Sequence, residues 1–344
     1  MSLALWIHPP PRELPTVTLL CYHNFDAQKI TAYNVDSRHL REQMRYLTVQ
    51  HYPVIPLASL VEHLHNGAPI PDHAVVITID DGYKTARTKA WPIFKEFGFP
   101  FTLFVYPQFV GHPSALNWED VREMAQAGVD IESHSMTHPL LTHPQKPMNR
   151  TEYEAWLDYE LGDSKRLLEK HIGKPVTVLA YPFGGYDERI VEWTKKAGYL
   201  AGVTCDNGNV TRLTDAWHLN RRLVFRQVRL REFSKYFPDR TLQMTDLSPR
   251  DGERVRRPIR EIQGRILNVD QILPGSTFIL VDKVGRHAYP ITIDPKTGSL
   301  RFPLPEVQKT GYYFISLIAR DKTDPTLRRE ASWLFILSKN ISKN

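Results

Sequence analysis

At 344 residues the chain is long enough for a full catalytic barrel plus one small domain. Its 42% hydrophobic and 11% aromatic content fits a globular protein with a substantial core, and no run of about eighteen apolar residues encodes a membrane-spanning helix. The net charge of +6 is concentrated in arginines between Arg221 and Arg260, but no nucleic-acid-binding motif accompanies them. A solvated basic face, or one turned toward an anionic cell envelope, is therefore expected rather than a nucleic-acid partner.

Apolar runs alternate with helical patterns through the first two-thirds of the chain. Thr16–Cys21 reads as a strand, and residues 37–50 carry Leu40, Met44 and Leu47 at helical spacing, with Ser37 as N-cap. A short strand at Val54–Pro56 and a helix over 57–65 follow, then a strand over 74–79 and a helix over 86–97 that ends at Gly98. Phe101–Tyr106 is a strand, 118–127 a helix, 152–171 a longer amphipathic helix, 176–181 a strand, 187–197 a helix and 201–204 a strand. This alternation predicts a parallel sheet, and a (β/α) barrel is the expected form. From Leu247 the texture changes to turn-rich polar sequence and short β-type runs at 262–269, 276–281, 288–293, 312–319 and 332–337. The expected organisation is thus a barrel over 1–247 followed by a small all-β sandwich over 248–344. Cys21 and Cys205 are too few for a disulfide framework, and a bridge between them would need adjoining strands. Met1-Ser2-Leu3 lacks the apolar stretch of a secretion signal, which leaves a removed leader open.

Chemistry concentrates at two strand ends. Val76-Ile-Thr-Ile-Asp80-Asp81-Gly82 stops an apolar strand at two adjacent carboxylates, and Gly128-Val-Asp-Ile-Glu132 runs into Ser133-His134 and, four residues on, His138-Pro139. Two imidazoles and one carboxylate make a three-ligand metal site with a position left for water, and the second Asp is free to handle a proton. Taken alone, Asp-Asp-Gly is an ordinary strand-to-helix turn, and His134 and His138 are an ordinary loop pair with His143 as a near neighbour. Taken together, at the C-terminal ends of two strands, they point to a metal-assisted hydrolase.

Thr78-Ile79-Asp80-Asp81-Gly82 resembles the T-F-D-D-G motif of the polysaccharide deacetylase family, and His134-Ser135-Met136-Thr137-His138-Pro139 resembles its H-S/T-x-x-H-P motif. Ala180-Tyr181-Pro182-Phe183-Gly184 is similar to its R-x-P-Y/F-G motif, with alanine in place of the arginine, and Tyr22-His23 resembles the opening of the branch acting on poly-N-acetylglucosamine. The likeness runs over roughly residues 15 to 240 and implies a distorted barrel of about seven strands. The segment Ser248–Gly252 and the run Ser332–Leu337 resemble bacterial immunoglobulin-like modules.

The resemblance implies one divalent ion, zinc first with nickel, cobalt and iron as alternatives, on Asp81, His134 and His138. It implies Asp80 as general base, and Tyr181, Pro182, Phe183 and Tyr83 as groove wall or oxyanion donor. His23, at the end of an interior strand, is either a structural histidine or, since no clear Leu-x-His motif follows Asp206, the catalytic acid or a group orienting the site. Arg221 and Arg222 are candidates to steady Asp80 in place of the lost arginine, and His218 is a second candidate acid. Tyr106, Trp118, Tyr186 and Trp217 are further aromatics, either core or sugar-stacking. An N-acetylated glycan is the implied partner and the cell envelope or its exterior the implied location, with cytoplasm and oligomeric state open. A catalytically dead carbohydrate-binding surface protein, or a deacetylase of peptidoglycan or chitin oligomers, is the alternative. A glycosidase is disfavoured, because adjacent strand residues point to opposite faces and cannot flank a glycosidic bond about 5 Å apart.

Overall fold

The computed structural model describes residues 13–25, 31–256, 259–282, 285–304 and 308–338. Met1-Ser2-Leu3 and Arg257 lie outside the described residues. Seven strands form one parallel sheet: β1 (Val17–Tyr22), β2 (Ala74–Ile79), β3 (Thr102–Val105), β4 (Asp130–Ser133), β5 (Val178–Ala180), β6 (Ala201–Val203) and β7 (Arg222–Leu223). Their order is β6-β5-β4-β3-β2-β1-β7, with β1 and β2 in register from Val17 against Ala74 to Tyr22 against Ile79. The sheet curls until its edges nearly meet: β7 lies on β1, while Leu219, just ahead of it, bridges to Val203 on β6.

Both faces of β1 and β2 are buried, which is why these strands are unbroken apolar runs rather than alternating ones. Alternate residues split between two cores. Val17, Leu19, Ala74, Val76, Phe104, Val178, Ala180, Ala201 and Val203 fill the inside of the curl. Leu20, Tyr22, Val75, Ile77, Ile79 and Leu103 face the helices. Thr78 and Asp80 continue the inward phase of Ala74 and Val76, so Asp80 emerges at the mouth of the curl.

The helices α1 (Ser37–Val49), α2 (Leu57–Asn66), α3 (Trp91–Phe97), α4 (Trp118–Gln126), α5 (Arg150–Leu157), α6 (Ser164–Ile172) and α7 (Glu188–Lys196) connect the strands. Leu40, Met44 and Leu47 are the buried stripe of α1, as their spacing predicts, but its cap is Asp36, whose carboxylate accepts from the Arg38 N–H, and not Ser37. The expected strand at Val54–Pro56 is reduced to one bridge from Val54 to Val75. The long helix predicted over 152–171 runs from Arg150 to Ile172, with a π-helical stretch over Asp158–Asp163 in its middle.

The remaining strands are β8 (Arg240–Thr241), β9 (Met244–Ser248), β10 (Glu253–Val255), β11 (Glu261–Ile266), β12 (Ser276–Val281), β13 (Arg286–Ile291), β14 (Ser299–Pro303), β15 (Gly311–Arg320) and β16 (Arg328–Leu337). One sheet has the order β10-β16-β15-β12-β13, with β8 also on β16; the other is β14-β11-β9. An apolar core of Ile262, Phe278, Leu300, Phe302, Leu317, Trp333 and Phe335 belongs to both sheets. β8 and β9 already pair with these strands, so the all-β region reaches back to residue 240 in its hydrogen bonding.

The all-β region is packed onto the barrel rather than tethered to it. Trp333, Phe335 and Leu337 enter the β core while Leu334 and Ile336, on the opposite face of β16, are wholly buried in the helix-side core of the barrel. Charged pairs cross the seam as well. The fully buried Arg222 donates to Glu330 at 2.8 Å and to Asp239 at 3.4 Å, and Arg254 donates to Asp187 at 2.7 Å. Removing Arg222 leaves the buried Glu330 without its cation, while Asp239 keeps Arg328, so Arg222→Leu should lower unfolding free energy by about 3–5 kcal/mol, read as a shifted urea midpoint. An unchanged midpoint would mean that the seam bears no such load.

Candidate active site

The loops beyond β2, β4 and β5 bring the predicted residues together at one rim. His134 Nε2 and His138 Nε2 are 3.1 Å apart, and each lies 3.6 Å from Asp81 Oδ1. Donors held ~2.1 Å from a tetrahedral ion stand about 3.4 Å from one another, so this triangle has the edge lengths that a zinc-like ion requires. His134 Nδ1 lies 2.8 Å from the Ala180 carbonyl, an acceptor only, so Nδ1 is the protonated nitrogen and the Nε2 lone pair is turned to the centre of the triangle. Zinc, nickel, cobalt and iron all accept two imidazoles and a carboxylate, so the residues present fit the metal that the family motifs imply.

Backbone geometry at the rim is unusual. Asp81, Ser135, His138 and Phe183 are four of the seven described non-glycine residues with positive φ, at +74°, +63°, +57° and +59°. Such conformations cost of order 1–3 kcal/mol each and persist where surrounding bonds over-determine them. Those bonds are visible. The His138 N–H donates to Ser135 Oγ at 3.0 Å. The buried Glu160 accepts from the Met136 and Thr137 N–H groups at 3.1 and 2.9 Å and from the Thr137 hydroxyl at 2.7 Å. Glu160 lies in the π-helical stretch, where the extra residue per turn re-aims a side chain.

Asp80, 1% exposed, is gripped from inside the curl. Arg221 donates to both of its oxygens at 2.7 Å, in the bidentate geometry of a charge-assisted pair. The guanidinium is itself fixed by the Thr204 carbonyl at 2.8 Å and Thr78 Oγ1 at 3.1 Å, and the Cys21 thiol donates to Asp80 at 3.4 Å. Arg221 thus supplies the cation that Ala180 cannot. Arg222 does not reach the site; the next residue on an extended chain points the other way, into the seam.

Burial alone would raise the Asp80 carboxyl, but the charge of Arg221 outweighs it and, with His134, holds Asp80 far below the usual carboxylate range. Burial and the Asp80 charge push Asp81 up to about 7. Burial, followed by the neighbouring His138, holds His134 down to about 3, and burial lowers His138 as well. His23 is held down to about 4, chiefly by burial. The rim therefore presents neutral imidazoles and one ionised carboxylate, with a second carboxylate that a cation would ionise.

The cleft over this rim encloses about 450 Å³ and is lined by His23, Tyr33, Asp80, Asp81, Tyr83, Tyr106, His134, His138 and Phe183, among others. A ring nitrogen of His23, Cys21 Sγ and an Asp80 oxygen lie within 4.8 Å of one another. Phe183 is 64% exposed, and its ring stands edge-on to His138 at 4.6 Å.

Three expected site residues fall elsewhere. Tyr181 is fully buried against Tyr186 and the backbone of Gly202, so it cannot form a groove wall, and Pro182 is buried beneath the turn. His218 sits between Asp215 at 3.2 Å and Asp251 at 3.6 Å, outside the cleft. Trp118 stacks on His171, Tyr186 bonds Asp206 and Asp251, and Trp217 lies under Lys195; none of the three lines the cleft. Cys21 and Cys205 are free thiols. Glu160 was missed; its signal was a lone acid on the apolar stripe of a predicted helix.

Residues 67–202 match the family described as Polysaccharide deacetylase. YxkH of Bacillus subtilis (strain 168), provisionally named a polysaccharide deacetylase, is 29% identical over 213 residues, 61% of this chain and 71% of its own. The poly-beta-1,6-N-acetyl-D-glucosamine N-deacetylase of Staphylococcus epidermidis is 26% identical over 208 residues, 58% of this chain and 70% of its own. Among solved structures, the deacetylase PplD of Streptococcus pyogenes superposes with a TM-score of 0.58 at 21% identity, over 65% of this chain and 99% of that one, a likeness of fold.

If Glu160 holds the histidine loop, Glu160→Ala removes the one oxygen that accepts both N–H bonds. Zinc affinity should then fall by about 10- to 100-fold, as for other groups that orient ligands, in a chelator-competition titration. Wild-type affinity in that variant would show that the loop holds itself.

Proposed function

Because this chain belongs to the polysaccharide deacetylase family through residues 67–202, we propose that it is a metal-dependent hydrolase removing N-acetyl groups from an N-acetylglucosamine-containing polysaccharide and releasing acetate. The observation that carries this reading is the triangle of Asp81, His134 and His138 beside an Asp80 locked by Arg221. A divalent cation held by the triangle, zinc by preference, supplies Lewis acidity toward a carbonyl oxygen and lowers the pKa of water beside it.

The chain's own groups do the rest. Asp80 stays ionised at neutral pH and takes the proton of the attacking water, while Arg221 keeps both carboxylate oxygens in place. The Phe183 N–H, on its left-handed turn, is our candidate donor to the developing oxyanion. His23 is neutral in the free protein, so it acts as an acid only after receiving a proton, and Asp80, within 4.8 Å, is the group that can hand it one. That proton then goes to the leaving glucosamine nitrogen, which departs as a free amine. Tyr83 and Tyr106, with Phe183, wall the sugar.

The name of the staphylococcal relative and the Tyr22-His23 opening favour poly-β-1,6-N-acetylglucosamine as substrate, and with it a location in the cell envelope or outside the cell. We read the two antiparallel sheets with their common core as an immunoglobulin-like sandwich forming a second domain over about 248–344, stitched back to the barrel by β8 and β9.

Acetate release from poly-β-1,6-N-acetylglucosamine, chitin oligomers and peptidoglycan, with zinc restored to chelated protein, tests the proposal; no release from any of them would end it. His134→Ala and His138→Ala should lose bound metal and activity together, and full occupancy in both would remove them as ligands. Asp80→Asn should keep the metal and lose about 10²-fold or more in kcat, whereas near-normal turnover would remove Asp80 as base.

A further inference from the structure

A second cavity, of about 390 Å³, adjoins the cleft and shares Phe183 with it. Its other lining residues are Leu140 and Gly185 from the barrel and Tyr312 and Phe314 from β15. On β15 the odd residues Tyr313, Ile315 and Leu317 are buried in the β core, so the even residues Tyr312 and Phe314 face the barrel. Their rings are stacked, 5.7 Å apart with 15° between planes, so two nearly parallel aromatic rings stand in this wall. The Tyr312 hydroxyl bonds the Thr142 hydroxyl, which fixes that ring and uses the one polar group of the wall. Gly185 keeps the wall open: a Cβ there would stand 2.7 Å from the Tyr312 hydroxyl and 2.6 Å from Leu140 Cδ1.

We propose that Tyr312 and Phe314 form a sugar subsite, through which the all-β region binds the glycan unit next to the one whose acetamide lies in the cleft. The occupant follows from continuity. A polymer whose acetyl group reaches His138 must leave the cleft along its wall, and Phe183 is wall to both cavities. A pyranose presents a flat face of C–H groups, which gains dispersion and apolar burial on an aromatic plane without needing polar partners. An acyl chain would gain from any apolar wall; aromatic faces held parallel favour a flat ring instead. The subsite makes the β region part of substrate selection: long chains gain from it and single sugars do not.

The inference rests on the deacetylase reading, and the test separates the two. The readout is kcat/KM for acetate release from a β-1,6-linked N-acetylglucosamine pentamer divided by that for the monosaccharide, on full-length zinc-loaded protein. Phe314→Leu keeps apolar volume but loses the plane, and should lower this ratio by about tenfold. Phe314→Trp, which restores a plane, should return the ratio to near the wild-type value. An unchanged ratio in folded Phe314→Leu overturns the subsite while leaving the deacetylase reading intact. Should thermal unfolding show Phe314→Leu to be misfolded, Tyr312→Leu gives the same comparison with the same two outcomes. Wild-type protein releasing no acetate from either sugar overturns the subsite for this glycan, and none from chitin oligomers or peptidoglycan as well overturns the deacetylase reading with it.

Discussion

One buried ion pair organises the chemistry of this protein. Asp80 and Arg221 meet in a region where neither charge has water, and both oxygens of the carboxylate are matched by the two arms of the guanidinium. A carboxylate in such a place would otherwise take up a proton. The pair fixes the charge of the rim, sets Asp81 and the imidazoles around a known anion, and requires the segment before β7 to reach across the mouth of the curl. The Leu219–Val203 bridge and the Arg221 N–H bond to the Asp206 carbonyl place that segment, so closing the sheet and gripping Asp80 are one structural act.

The rim is then stiffened from outside by groups that touch no reacting atom. Glu160 gathers the backbone between the two histidines, the Ala180 carbonyl orients His134, and four left-handed residues are held against their preference. The alanine that departs from the family motif still serves through its main chain. The guanidinium usually expected at that position enters from another strand, so the same electrostatic requirement is met along a different path through the fold.

Much of this was legible in the sequence, because strands buried on both faces leave long apolar runs and their ends are marked by abrupt polar residues. Asp80, Asp81, His134 and His138 were readable for that reason, as were the stripe of α1 and the run of strands after residue 248. What could not be read depends on partners distant in the chain. Nothing local distinguishes Arg221, which grips Asp80, from Arg222, which faces Glu330; only the parity of one residue on a short strand separates them. Tyr181 looked like a groove residue because it lies in the segment that resembles the R-x-P-Y/F-G motif, yet the close approach of Gly202 admits its ring to the interior. The π-helical stretch left the 3.6-residue pattern nearly intact, so Glu160 passed as an ordinary helix residue.

β16 has a consequence for how the molecule comes apart. Its odd residues belong to one core and its even residues to another, so the strand cannot leave either without opening both. Two regions of different architecture are thereby joined through one strand whose two faces are buried in different cores. Such a chain gains its second region at the cost of modularity: the β region cannot be exchanged between relatives as a free-standing cassette, and its sequence must drift in step with the barrel face on which it lies.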